Sequence, residues 1–123
     1  MTRILIFGNP LVEKDSLPLR LLPELRKRLP EVEFVEADPE DMPDERDLFI
    51  IDSALGIRDV VLIDNLDQLE NCKLISSHDM DLGQTLGLMK VAGLLDSVKI
   101  IAVPINIAEA VALDKIEKII RAI

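Results

Sequence analysis

The stretch LFIIDSALGIRDVVLID, Leu48–Asp64, decides the fold. It holds two apolar runs, Leu48–Asp52 and Asp59–Asp64, separated only by SALGIR, Ser53–Arg58. A run that is apolar at successive positions, not at alternate ones, suits a strand buried on both faces. Parallel neighbours need a crossover of about a dozen residues or more. SALGIR is too short for one, so the second run is expected to have an antiparallel partner.

Outward from this pair, the same kind of run recurs. RILIF, Arg3–Phe7, bounded by GNP, reads as a buried strand, and so does VKIIAVP, Val98–Pro104. VEFVEA, Val32–Ala37, alternates and reads as a half-exposed strand near a sheet edge. KLIS, Lys73–Ser76, is a short strand. Between them lie helical periods. Leu17, Leu21, Leu25 and Leu29 share one face of a helix over Ser16–Leu29, where Pro18 fits the first turn and Pro23 predicts a kink or a later start. Asp81–Leu95 places Leu82, Leu86 and Met89 on one face, with Asp81 as N-cap. Gly83 and Gly87, one turn apart, suggest close packing of that helix on a neighbour. Ile107–Ile123 carries Leu113, Ile116, Ile120 and Ile123 at helical spacing. This order predicts a three-layer α/β/α sandwich with a mostly parallel sheet of about five strands and one antiparallel strand.

Composition bounds the function. A chain of 123 residues, 49% of them hydrophobic, is long and apolar enough for one domain with its own core, spanning residues 1–123. A net charge of −9 argues against non-specific binding to nucleic acid or to an anionic membrane. With no Trp or Tyr, stacking on bases or sugars is not the expected activity. The single cysteine, Cys72, leaves no intrachain disulfide, which fits a cytoplasmic setting. The apolar run in MTRILIFGNP is too short for a signal peptide or a membrane span.

In open α/β sheets ligands bind beyond the carboxyl ends of the strands, at the point where strand order reverses. Residues following the expected strands include Asp15, Asp52 and His78, the chain's only histidine. Two carboxylates and one imidazole suit a borderline divalent ion such as zinc or nickel, with open positions for water or substrate. Each has a structural alternative. Asp15 competes with Ser16 as a helix N-cap, Asp52 can cap backbone N–H groups of the next loop, and His78 can hydrogen-bond backbone in its loop. Asn9 either holds the turn after the first strand or contacts substrate.

GNPLVEKDS, IIDSALG, SSHDMDLGQTLGLMK and KIIAVP occur in one order between Arg3 and Pro104, and together they resemble the hydrogenase maturation endopeptidases. The resemblance implies a cytoplasmic α/β protease that removes a C-terminal extension from the large-subunit precursor of a [NiFe] hydrogenase once nickel is in place. It implies that Asp15, Asp52 and His78 contact the nickel carried by that precursor, with zinc a substitute in vitro. The expected partner is that precursor, with no nucleic acid and no membrane insertion, and the expected state is a monomer. The chain departs from the family pattern at Lys14, where an acid is usual, at Ser16, where glycine is usual, and at EADPEDMP in place of a glycine-rich loop. These departures keep a processing-incompetent adaptor relative in view. A receiver-like signalling domain, with Asp52 as phospho-acceptor, is the alternative from another class. It lacks support in GNP, where receivers carry an acidic pair, and in AVPIN, where they carry a lysine.

Overall fold

A computed structural model describes residues 2–8, 17–37, 45–65, 73–74 and 82–123. The elements are β1 (Thr2–Phe7), α1 (Leu17–Arg28), β2 (Val32–Ala37), β3 (Asp47–Leu55), β4 (Val61–Ile63), β5 (Lys73–Leu74), α2 (Leu82–Val91), β6 (Ser97–Pro104) and α3 (Glu109–Arg121). They build the expected α/β fold. The sheet runs β2-β1-β3-β6-β4, and β5 pairs with the end of β3. β2, β1, β3 and β6 are mutually parallel.

The apolar runs become the middle of the sheet because each has two faces to bury. In β3 every residue from Leu48 to Ala54 is buried. Odd positions Phe49 and Ile51 join Ile4, Ile6, Ile101 and Val103 in a core closed by α1 and α3. Even positions Leu48, Ile50 and Ala54 join Leu5, Phe7, Ile100 and Ala102 in a core closed by Leu86 of α2. The period-2 alternation of side chains thus produces three layers from one sheet. Edge strand β2 is less buried: Val32 and Phe34 join the first core, Val35 and Ala37 are only partly buried against the second, and Glu33 and Glu36 are exposed.

β4 is antiparallel, but its partner is β6, with Leu62 opposite Ile101. The short turn after β3 reverses the chain, and β6 arrives later to lie between β3 and β4. Its eight-residue register with β3, from Asp47↔Ser97 to Ala54↔Pro104, fills the slot. The two-residue β5 is a second antiparallel element, with Ala54 opposite Leu74.

α1 turns Leu17, Leu21, Leu22 and Leu25 into the core. Pro23 does not end the helix. It lies on the exposed face, where water can reach the carbonyl that a proline nitrogen cannot serve. Arg26, Lys27 and Arg28 complement the negative end of the helix, and Pro30 disfavours helical geometry at Leu29. α3 lies beside α1 with both helices pointing the same way. Arg20 donates to Glu109 at one end (3.3 Å), and Arg28 donates to Asp114 at the other (2.7 Å). Among the described residues no helix is long and apolar enough to cross a membrane.

α2 stops at Val91, four residues short of the expected end. Gly93 takes φ 78, and the chain reverses there. The N–H of Gly93 donates to Lys90 O (3.1 Å) and that of Leu94 to Met89 O (2.8 Å), a Schellman closure. Gly87 corrects the expectation of close packing: a Cβ built there meets nothing within 4 Å. The same is true at Gly93, so any cost of substitution there is backbone strain alone. Opposite signs follow for one chemical change. Gly93→Ala should lower the unfolding free energy by about 1–2 kcal/mol. Gly87→Ala should raise it by roughly 0.5–1 kcal/mol. Urea unfolding of the two variants checks both.

Candidate functional site

Asp52 is 0% exposed in the middle layer of the protein. It lies in the central strand, with β6 alongside it at Ala102. Its neighbours on the even side of β3, Ile50 and Ala54, face the α2 layer, so Asp52 faces it too. Its Oδ1 accepts the backbone N–H of Ser53 at 2.8 Å. A buried carboxylate without hydrogen bonds would cost several kcal/mol, and this bond offsets part of that.

The expectation that Asp52 ends its strand needs correction. β3 continues to Leu55, because β6 accompanies it as far as Pro104 and β5 pairs with Ala54 and Leu55. Asp52 therefore lies three residues inside the end of its strand. The N–H it accepts belongs to the next residue of the same strand.

Two neighbours share the other side of β3. β1 pairs with it at Ile50 and Ile51, and β5 pairs with it at Ala54 and Leu55. β1 runs parallel to β3 and β5 antiparallel, so the two approach each other head to head. The parallel register carries Phe7, the last residue of β1, beside Asp52 and Gly8 beside Ser53. The strand order also reverses here: β1 leads through α1 to β2 on one side, while β3 lies on the other. This is the crevice where open α/β sheets bind ligands.

Ser53 has no counterpart among the residues singled out from the sequence. It is 0% exposed, and its Oγ has no hydrogen-bond partner among the described residues. It alternates with Asp52 and so faces the α1 and α3 layer. An unsatisfied buried hydroxyl costs about 1–3 kcal/mol. The one signal in the sequence is a polar residue placed directly after the aspartate in an otherwise apolar run.

Asn9, Asp15 and His78 lie outside the described residues, as do Lys14, Ser16, Cys72, Asp79 and Asp81. Covalent attachment bounds their distance from described positions. His78 is four positions from both Leu74 and Leu82, and Asp15 is two from Leu17. At no more than about 3.6 Å per residue, those tethers reach roughly 14 Å and 7 Å. Among the described residues, no three His, Cys, Asp or Glu side chains are grouped to hold a metal ion.

A groove of about 520 Å³ opens at the other end of the strands, lined in part by Arg3, Glu33, Glu45, Asp47 and Lys99. Arg3 there is already tied to Glu33 and Glu45. The groove sits at the amino end of β3, away from Asp52. No family model matches the chain, and neither a curated protein nor a solved structure matches it.

Two surface carboxylates carry perturbed acidities. Lys115 donates to Asp59, which also accepts the Val60 N–H, and both hold its carboxyl below the usual range. Arg46 donates two hydrogen bonds to Asp96 (2.9 Å each) and lowers its pKa in the same direction. A carboxylate with a depressed folded pKa contributes stability above its unfolded value, near 4, and loses it as pH falls through the folded value. Thermal unfolding between pH 6 and pH 2 should show a fall in stability that begins around pH 4. The Asp59→Asn, Asp96→Asn double variant should show a shallower fall.

Proposed function

We propose that this protein is an endopeptidase that removes the C-terminal extension of a [NiFe]-hydrogenase large-subunit precursor in the cytoplasm. The observation that carries the reading is the placement of Asp52. It is a carboxylate fully buried in the central strand, beside the carboxyl end of β1 and at the point where strand order reverses, where open α/β sheets bind ligands. The motif resemblance nominates this same residue. Asp15 precedes α1 in the chain, and His78 lies between β5, which pairs with β3 at Ala54 and Leu55, and α2, whose layer Asp52 faces.

In this reading nickel arrives inside the precursor and is part of the substrate. Asp15, Asp52 and His78 form the set that recognises it, and the mixture of carboxylate oxygen and imidazole nitrogen suits a borderline divalent ion. The Ser53 N–H fixes one oxygen of Asp52, which limits rotation of the carboxylate. One of the two carboxylates then takes the proton from the attacking water as general base. Asn9 contacts the substrate backbone. Recognition through the ion makes cleavage conditional on nickel insertion. The protein acts as a monomer on this partner, and zinc substitutes for nickel in vitro.

The receiver-like alternative loses ground on topology. Receiver-type sheets run 2-1-3-4-5, whereas this one ends in β6 and then an antiparallel β4.

Candidate large-subunit precursors incubated with the protein should lose the mass of their extension only when nickel is present. Asp15→Asn, Asp52→Asn and His78→Ala should each give a folded protein that leaves the nickel-loaded precursor uncut. Normal processing by all three variants contradicts the site. Tight binding by the wild type without cleavage identifies an adaptor instead.

A further inference from the structure

The neighbours of Asp52 on its own face of the sheet differ in size. Ala102 lies opposite it on β6 and Phe7 beside it on β1, each about 5 Å away across the ladder. Ile50 and Ala54 lie on either side of it along β3, about 7 Å away. All of them belong to the core on the α2 side and are withdrawn from water. Phe7 and Ile50 border the acid with a ring and a branched chain. Ala54 and Ala102 border it with methyl groups alone. They are the only alanines of β1, β3 and β6, which otherwise give this core Leu, Ile, Val and Phe. The core on the opposite face takes only Ile, Phe and Val from the same strands. Central buried strands favour large and β-branched side chains, and alanine is depleted in them. Here the small side chains fall where the buried acid stands.

We propose that Ala102 is a specificity-determining residue of the Asp52 site, whose small side chain keeps clear the side from which a metal ion reaches the carboxylate. The assignment rests on the endopeptidase reading, in which Asp52 meets the nickel of the precursor. A divalent ion sits about 2 Å from a carboxylate oxygen and brings its other ligands with it. On the side of Phe7 or Ile50 that bulk meets a large side chain. On the side of the alanines it meets only methyl groups. Ala102 is the nearer of these, in direct register with Asp52. The added methyl groups of a valine there would stand beside the carboxylate, in the space the ion needs.

The test compares wild type, Ala102→Val and Ala112→Val. Ala112 is a fully buried alanine of α3 in the core on the opposite face, so valine there adds a similar volume away from Asp52. Thermal unfolding without metal shows whether each variant folds. Nickel affinity is read from the broadening of the His78 ring-proton signals. Ala102→Val should bind nickel at least about tenfold more weakly than wild type, the lower end of what overpacking costs. Ala112→Val should keep the wild-type affinity. A folded Ala102→Val protein with wild-type affinity overturns the proposal. So does an equal loss in both variants, which would make the effect one of core strain in general. Where valine at 102 prevents folding, Ala102→Ser decides. Its hydroxyl fills the same space or donates to Asp52, so its affinity should fall, and an unchanged affinity overturns the proposal. In each of these cases the endopeptidase reading survives if wild type cuts a nickel-loaded precursor. If wild type leaves every such precursor intact, that reading itself fails, and the Ala102 assignment falls with it.

Discussion

The structure depends on one strand having no exposed face. β3 is covered by α2 on one side and by α1 and α3 on the other, and β1, β5 and β6 occupy its two edges. Every side chain from Leu48 to Ala54 is consequently withdrawn from water. Five of those seven positions are apolar and need nothing else. Asp52 and Ser53 are the exceptions, and they are adjacent. A carboxylate and a hydroxyl in the middle of such a strand weaken it unless something other than folding is served.

Their location gives that cost a direction. Were they near the amino end of β3, they would adjoin the groove lined by Arg3 and Lys99, where charges of both signs already satisfy one another. They lie instead toward the carboxyl end, where β1 stops, β5 begins and the strand order reverses. The chain segments that leave this region enter α1 and α2. The proposed ligands come from those same segments.

Much of the fold was legible because it follows from local pattern. Continuous apolarity in Arg3–Phe7, Leu48–Asp52 and Val98–Pro104 required burial on both faces, and alternation in Val32–Ala37 required an edge. The brevity of SALGIR required a reversal of direction. What was not legible is what depends on distant partners. β4 could not announce β6 as its partner, since β6 is added to the sheet some 35 residues later. β3 outran Asp52 because β5 and β6 extend the ladder, which no local signal encodes. Pro23 was tolerated because of the side of α1 it occupies, and Gly93 ended α2 early through a φ that glycine permits but does not demand. At the site, Asp52 stood out as an acid after an apolar run. Ser53 did not, since an unpaired hydroxyl is visible only when its surroundings are known.

The central claim is that Asp52 and the lone imidazole of His78 serve one ion. Because the chain has a single histidine, its ring protons give one set of resonances, free of overlap from other imidazoles. Titration with substoichiometric nickel, followed by proton NMR, should shift and broaden those signals in the wild-type protein. In Asp52→Asn the same addition should leave them sharp. Equal broadening in both proteins would mean that His78 meets the metal without Asp52, and would contradict the account.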